Sequence, residues 1–234
     1  RSHEEAKEWN VPMDAMLKFL TAVLAEGVLP PLEFNLTPGS QAPVIIYTDA
    51  SFHWHQEPGK ERIPVAILGL YVVDRVTGAE LISGLMLPMF FFRFFSADLE
   101  TYISQVELVA AIAVYYTLPT LLAGRSVIHF IDNFAALSAL VHGYASKPDL
   151  SRLVNLFHAQ IAALRCRFYG DWVPSKANPS DVPTRVERYH EIPPSATWME
   201  MVLPALEAVE RDVGTWIRNV RAHVTKSRAA QGSS

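Results

Sequence analysis

Four carboxylates carry the chemical interest of this chain: Asp49, Glu107, Asp132 and Asp181. Asp49 closes Val44-Ile45-Ile46-Tyr47-Thr48, a run of β-branched and aromatic residues with the composition of a buried strand. Asp132 closes a second such run, Val127-Ile128-His129-Phe130-Ile131. A carboxylate at the end of a central strand is costly to bury unless something pairs with it. A divalent cation is one such partner, because Mg²⁺ and its relatives prefer hard oxygen ligands. Each acid also has an ordinary reading. Asp49 and Asp132 can cap turns at strand ends, Glu107 can be a first-turn acid favoured by the helix dipole, and Asp181 can be the third residue of a helix-start motif.

The elements that would position these acids follow from periodicity. Val44 to Ser51 forms the first strand, and His53 to Arg62, polar with Pro58-Gly59, reads as a loop. Val65 to Val73 and Ala79 to Leu87 flank the turn signal Asp74 to Gly78, giving a three-strand antiparallel meander. A helix from about Ser104 to Leu118 carries Glu107 near its start. Ser126 to Ile131 is a fourth strand, Phe134 to His142 and Asp149 to Leu164 are helices, and Cys166 to Val173 is a fifth strand. Asn178-Pro179-Ser180-Asp181 has helix-start chemistry.

Outside this order lie a helix from Asn10 to about Glu26, bearing Met13, Met16, Leu17, Leu20, Val23 and Leu24 on one face, and a linker at Thr37-Pro38-Gly39-Ser40. At the other end, Thr197-Trp198-Met199-Glu200 is a capping-box pattern opening a last helix, which Pro204 kinks or delays. The basic, small-residue tail after Thr225 is expected to lack structure. The boundaries expected are 1–42 for the first helix and linker, 43–190 for the core domain, and 191–234 for the last helix and tail. Met89 to Phe95, rich in phenylalanine, continues the third strand, covers a sheet edge or presents a patch to a partner; burial is the favoured reading.

Composition sets limits. Half of the 234 residues are hydrophobic and 19% are charged, which excludes a disordered chain. A net charge of −4 gives no global signal for nucleic acid, so any such surface has to be local. The single cysteine, Cys166, excludes an internal disulfide and a Cys-rich zinc site and suits a reducing compartment, hence cytoplasm or nucleus. The chain opens on Arg1 with no secretory pattern, as expected of a fragment or a processed product. The uncharged run Leu108 to Gly124 contains Pro119 and two tyrosines and reads as a buried helix, with no membrane span expected.

Taken in order, the motifs Tyr47-Thr48-Asp49-Ala50-Ser51, Gln105-Val106-Glu107-Leu108-Val109-Ala110-Ala111, Phe130-Ile131-Asp132-Asn133 and Trp172-Val173-Pro174-Ser175-Lys176-Ala177-Asn178-Pro179-Ser180-Asp181-Val182-Pro183-Thr184-Arg185 resemble those of ribonuclease H. The last is similar to the terminal motif of modules fused to reverse transcriptases of LTR-type, DIRS-like and pararetroviral elements. The resemblance spans roughly Pro43 to Arg185. It implies an α/β ribonuclease H-like fold: a five-stranded mixed sheet, three antiparallel strands then two parallel, flanked by helices, with extra N- and C-terminal helices. Order distinguishes relatives. A DDE transposase or integrase places its glutamate after the second aspartate, and a proofreading exonuclease carries Asp-x-Glu in its first strand; neither pattern occurs here.

The resemblance further implies hydrolysis of the RNA strand of RNA–DNA hybrids, leaving 3′-hydroxyl and 5′-phosphate ends, with two Mg²⁺ ions about 4 Å apart for which Mn²⁺ can substitute. Asp49 would bridge both ions, Glu107 and Asp132 would complete one side, and Asp181 would hold the other ion. A reverse transcriptase polymerase module would be the fused or associated partner. Ser51 and Asn133 are candidates for minor-groove or 2′-hydroxyl contact, Lys176 and Arg185 for phosphate, and Asn178 is grouped with them. His53 and His55 read as loop residues or nucleic-acid contacts before a transition-metal site, and Trp54 as a packing residue before a stacking one. Two departures stand out: there is no basic helical protrusion, and the loop Pro174 to Ala177 carries Ser175 and Lys176 where cellular enzymes have a histidine. The alternative from another class is a non-catalytic scaffold or protein-interaction module of the same fold.

Overall fold

The computed structural model describes residues 17–22, 24–25, 41–97, 99–203 and 206–232. The sheet is organised around β1 (Val44–His55), whose even residues Val44, Ile46, Thr48 and Ala50 are buried while Ile45 and Tyr47 are half-buried, the alternation of a strand with one face in the core. β2 (Ile63–Asp74) runs antiparallel to it along its whole length, from Val44 opposite Asp74 to His55 opposite Ile63. β3 (Glu80–Met86) is antiparallel to β2. On the other side β4 (Ser126–Ile131) is parallel to β1, and β5 (Arg167–Trp172) is parallel to β4.

The expected mixed sheet is therefore present, with one correction: it has six strands, not five. Thr197–Trp198 forms β6, parallel to β3 opposite Leu81 and Ile82, giving the order β5-β4-β1-β2-β3-β6. The capping-box reading of Thr197 is thereby overturned. Unpaired backbone groups on the edge of β3 take up this segment, and the Ser83 hydroxyl donates to the Met199 carbonyl just beyond it.

A second correction concerns the loop expected from His53. The chain stays in β1 through His55, because Ile63 to Val65 pair with it and Trp54 packs on Phe52 and Tyr102 while donating its indole N–H to the Glu100 carbonyl at 2.8 Å.

One face of the sheet is covered by α1 (Ile103–Thr117), which is buried from Gln105 to Tyr116 and lies between β1 and α4 (Pro148–Leu164). Between them come the short α2 (Pro119–Leu122) and α3 (Phe134–His142). Asn133 caps α3 by accepting from Ala136 N at 3.0 Å, and Gly143 ends it in the left-handed region at φ 76°. The phenylalanine run forms a 3-10 turn, Met89–Phe94, that buries Phe91; Phe95 beyond it is also buried, and Phe90 stays half exposed.

The last helices are α5 (Leu206–Arg211) and α6 (Val213–Gln231), the latter capped by Asp212 and packed on α4 and α2. Helix thus continues to Gln231, where a structureless tail was expected from Thr225; Val220 and Val224 hold it to the core and Arg228 donates to the Ala123 carbonyl. The helix entry at Asn10, the linker at 37–40 and Pro204 lie outside the described residues; 17–22 and 24–25 are helical. Among the described residues no helix is long and apolar enough to cross a membrane.

Candidate metal centre

Asp49 does not end its strand. It sits in the middle of β1, at the point where β4 leaves it: the parallel pairing stops at Thr48 opposite Ile131, and Asp49 and Asp132 are the next residues of each chain segment. Partner pairing with β2 carries β1 onward, so the two acids flank a fork in the sheet. Glu107, one turn into α1, is carried to the same fork because α1 lies across β1. One oxygen from each of Asp49, Glu107 and Asp132 falls within 4.8 Å of the others.

The electrostatics of this triad are compatible with a divalent cation. Burial, opposed by a hydrogen bond from Thr184 and reinforced by Asp132 and Asp181, pushes the Asp49 carboxyl up to about 6. Burial, then the neighbouring Asp49 and Asp132, hold Glu107 well above the usual carboxylate range, against one backbone N–H from Ala50. Glu107 is 3% exposed, and its Oε2 is buried with no hydrogen-bond partner among the described residues. A carboxylate with an orphaned buried oxygen, clustered with two other acids, fits a hard divalent ion, which would offset the repulsion.

Asp181 ends the 3-10 turn Pro179–Asp181 and faces the same cleft, an open groove of about 740 Å³ that also exposes Ser51, His53 and Asn133. The turn is pressed against the sheet where β2 and β3 carry Gly69 and Gly84. A Cβ on Gly69 would lie 2.4 Å from the Ser180 carbonyl and 2.7 Å from Thr184 Cγ2, so only glycine admits the turn this closely. Asp181 does not share the 4.8 Å cluster. Its Oδ1 accepts from Arg185 Nε at 2.7 Å and its Oδ2 from Arg188 Nη1.

The other expected contact residues are spent differently. Asn178 is 4% exposed; its Oδ1 accepts from Ser180 N and Oγ, and its amide donates to the Thr48 carbonyl at 3.1 Å. The Ser180 bonds brace the turn from within, and the Thr48 bond ties it to β1. Arg185 pairs with Asp181 while lining the cleft. Ser51 donates to the Thr184 carbonyl at 3.2 Å, and Asn133 caps α3; both border the cleft. Lys176 is exposed on the turn Ser175–Ala177, whose Ser175 lines the groove.

Thr184 and Arg188 were missed from the sequence. Thr184 Oγ1 donates to Asp49 Oδ2 at 2.7 Å and lies 2.9 Å from the Asp181 carbonyl. The spacing Asp181-x-x-Thr184, a hydroxyl one tight turn after an acid, was the available signal; for Arg188 there was none.

No protein-family profile and no curated protein matches the chain. Similar solved structures include RNase H1 from Halobacterium salinarum NRC-1, at 15% identity and TM-score 0.45, covering 64% of this chain and 98% of that one. A second is the protease–reverse transcriptase of prototype foamy virus, at 13% and 0.43, covering 69% of this chain but only 21% of that one. A third is the N-terminal RNase H domain of a Mycobacterium tuberculosis protein, solved as a fusion with maltose-binding protein, at 16% and 0.35, covering 63% and 95%. The chain is similar at low identity to ribonuclease H structures and to a reverse transcriptase, and its own side chains carry the case for the site.

Proposed function

We propose that the chain is a ribonuclease H-type endonuclease that hydrolyses the RNA strand of RNA–DNA hybrids with divalent cations, in the setting of a reverse transcriptase polyprotein. The observation that carries this reading is the convergence of Asp49, Glu107 and Asp132, with Glu107 Oε2 buried and without a hydrogen-bond partner among the described residues. Those three residues would hold Mg²⁺ or Mn²⁺, with Asp181 as the fourth ligand. When bound, the cations supply an acidified water and neutralise the phosphodiester.

The chain's own residues do the rest. The Ala50 N–H holds Glu107 from the strand side, and the Thr184 hydroxyl holds Asp49 Oδ2, so both carboxylates are aimed before a cation arrives. The half-open groove leaves a bound strand room along Ser51, Asn133 and Ser175, three neutral hydrogen-bonding side chains suited to sugar edges.

The test is cleavage of a hybrid with end-labelled RNA in Mg²⁺. Internal cuts leaving 5′-phosphates are expected, and Asp132→Asn is expected to abolish them while the melting temperature and circular dichroism stay close to the parent. Undiminished cutting by that variant would remove the assigned roles. Binding without cutting by the parent chain, in Mg²⁺ and in Mn²⁺, would establish the scaffold alternative instead.

A further inference from the structure

The two halves of the site are held by donors of different charge. Asp49 and Glu107 receive hydrogen bonds from neutral groups, the Thr184 hydroxyl and the Ala50 N–H. Asp181 instead has both oxygens engaged by guanidinium groups, Oδ1 by Arg185 and Oδ2 by Arg188. Arg188 is itself gripped from behind. Its Nε donates to Glu191 Oε1 at 2.8 Å and its Nη2 to Glu191 Oε2 at 2.6 Å, a parallel two-bond pair that fixes the plane of the guanidinium. The 3-10 turn Val186–Glu191 makes this possible, since residues three apart eclipse on such a turn and bring Arg188 over Glu191.

We infer that Arg188, presented by Glu191, is a latch on the fourth carboxylate: it competes with a divalent cation for Asp181 and makes the two halves of the site fill unequally. This rests on the metal-site reading above. A carboxylate with a cation-bearing donor on each oxygen presents a dication few lone pairs and two positive charges. The three-acid half offers the opposite: clustered negative charge and an unpartnered oxygen. A cation therefore fills the Asp49–Glu107–Asp132 half first, and one using Asp181 enters when Arg188 turns out with Glu191. Arg188 is free to do so, its side chain being 36% exposed on a surface turn. Arg188 is thus a positioning residue, acting through Asp181.

The experiment is Mn²⁺ binding to the protein without nucleic acid, with free Mn²⁺ counted by electron paramagnetic resonance. The parent chain is expected to bind one ion more tightly than a second. Arg188→Ala is expected to tighten the weaker step about two- to fivefold, the range set by partly exposed ion pairs, and to leave the tighter step unchanged. Glu191→Ala, which releases Arg188 from its holder, is expected to shift the same step by less. Arg188→Lys, which keeps the charge, is expected to stay near the parent, and Asp181→Asn added to Arg188→Ala is expected to erase the gain. The latch is overturned, with the metal-site reading intact, if the parent binds Mn²⁺ and neither Arg188→Ala nor Glu191→Ala alters the weaker step, or if both steps move together. If neither parent nor variants bind Mn²⁺, the metal-site reading falls and the latch with it.

Discussion

The Thr184 hydroxyl donates a 2.7 Å hydrogen bond to Asp49 Oδ2, joining the turn that carries Asp181 to the middle of the first strand. The bond opposes the effect of burial on Asp49 and couples the strand and the turn that carry two of the four acids. Ser51, which also lines the groove, is turned instead to the Thr184 carbonyl.

Thr184→Val keeps the shape of the side chain and removes the donor. The Asp49 carboxyl is expected to move above about 6, read from its carbonyl carbon shift against pH. Stability at pH 8 is expected to fall by roughly 1.5–3 kcal/mol, the scale of a hydrogen bond to a charged group, read by urea denaturation. An unmoved Asp49 titration would show that burial alone sets it.

Metal-free stability should fall as pH rises through the titration of Asp49. Its carboxyl titrates near 3.8 unfolded and about 6 folded, so between those values the folded state holds the proton the unfolded state has released. The stabilisation is complete below about 4 and gone above about 6, amounting to roughly 3 kcal/mol at about 1.36 kcal/mol per unit. Subtracting the profile of Asp49→Asn removes the share of His129, which burial lowers to about 3 and which works in the opposite direction, and leaves the contribution of Asp49 together with its effect on Glu107. A parallel pair of profiles would refute the shift. With Mg²⁺ present the dependence should reverse, because the cation competes with the proton.

Glu107→Gln replaces a buried charge by a neutral group of the same shape. At pH 8 and without metal the variant is expected to be about 1–3 kcal/mol more stable, the scale of relieving an unsatisfied buried group. Adding millimolar Mg²⁺ should raise the melting temperature of the parent and leave that of the variant unchanged. An equal rise in both would place the cation elsewhere.

Much of the core could be read from the sequence, because its signals are local. The bounds of β4 and α3, Ser126–Ile131 and Phe134–His142, are those expected from the strand-like run and the short helical stretch after it. The same local reading placed Asp49, Glu107 and Asp132 on elements that the fold brings together.

What tertiary structure alone decided is which partner each group meets. Composition ends β1 at Ser51, yet pairing with β2 carries it to His55 and leaves Asp49 at a fork rather than an end. Thr197 has the look of a helix cap, yet the edge of β3 draws it into a strand. Asn178 and Arg185 carry no local sign of their partners; the fold bonds Asn178 within the turn and to β1, and pairs Arg185 with Asp181 at the edge of the cleft. Periodicity records which face of an element is apolar. Thr184 meeting Asp49, and Arg188 meeting Asp181, depend on how a turn lands on a sheet, and that is settled by packing at Gly69 and Gly84, where a missing Cβ lets the backbone come close.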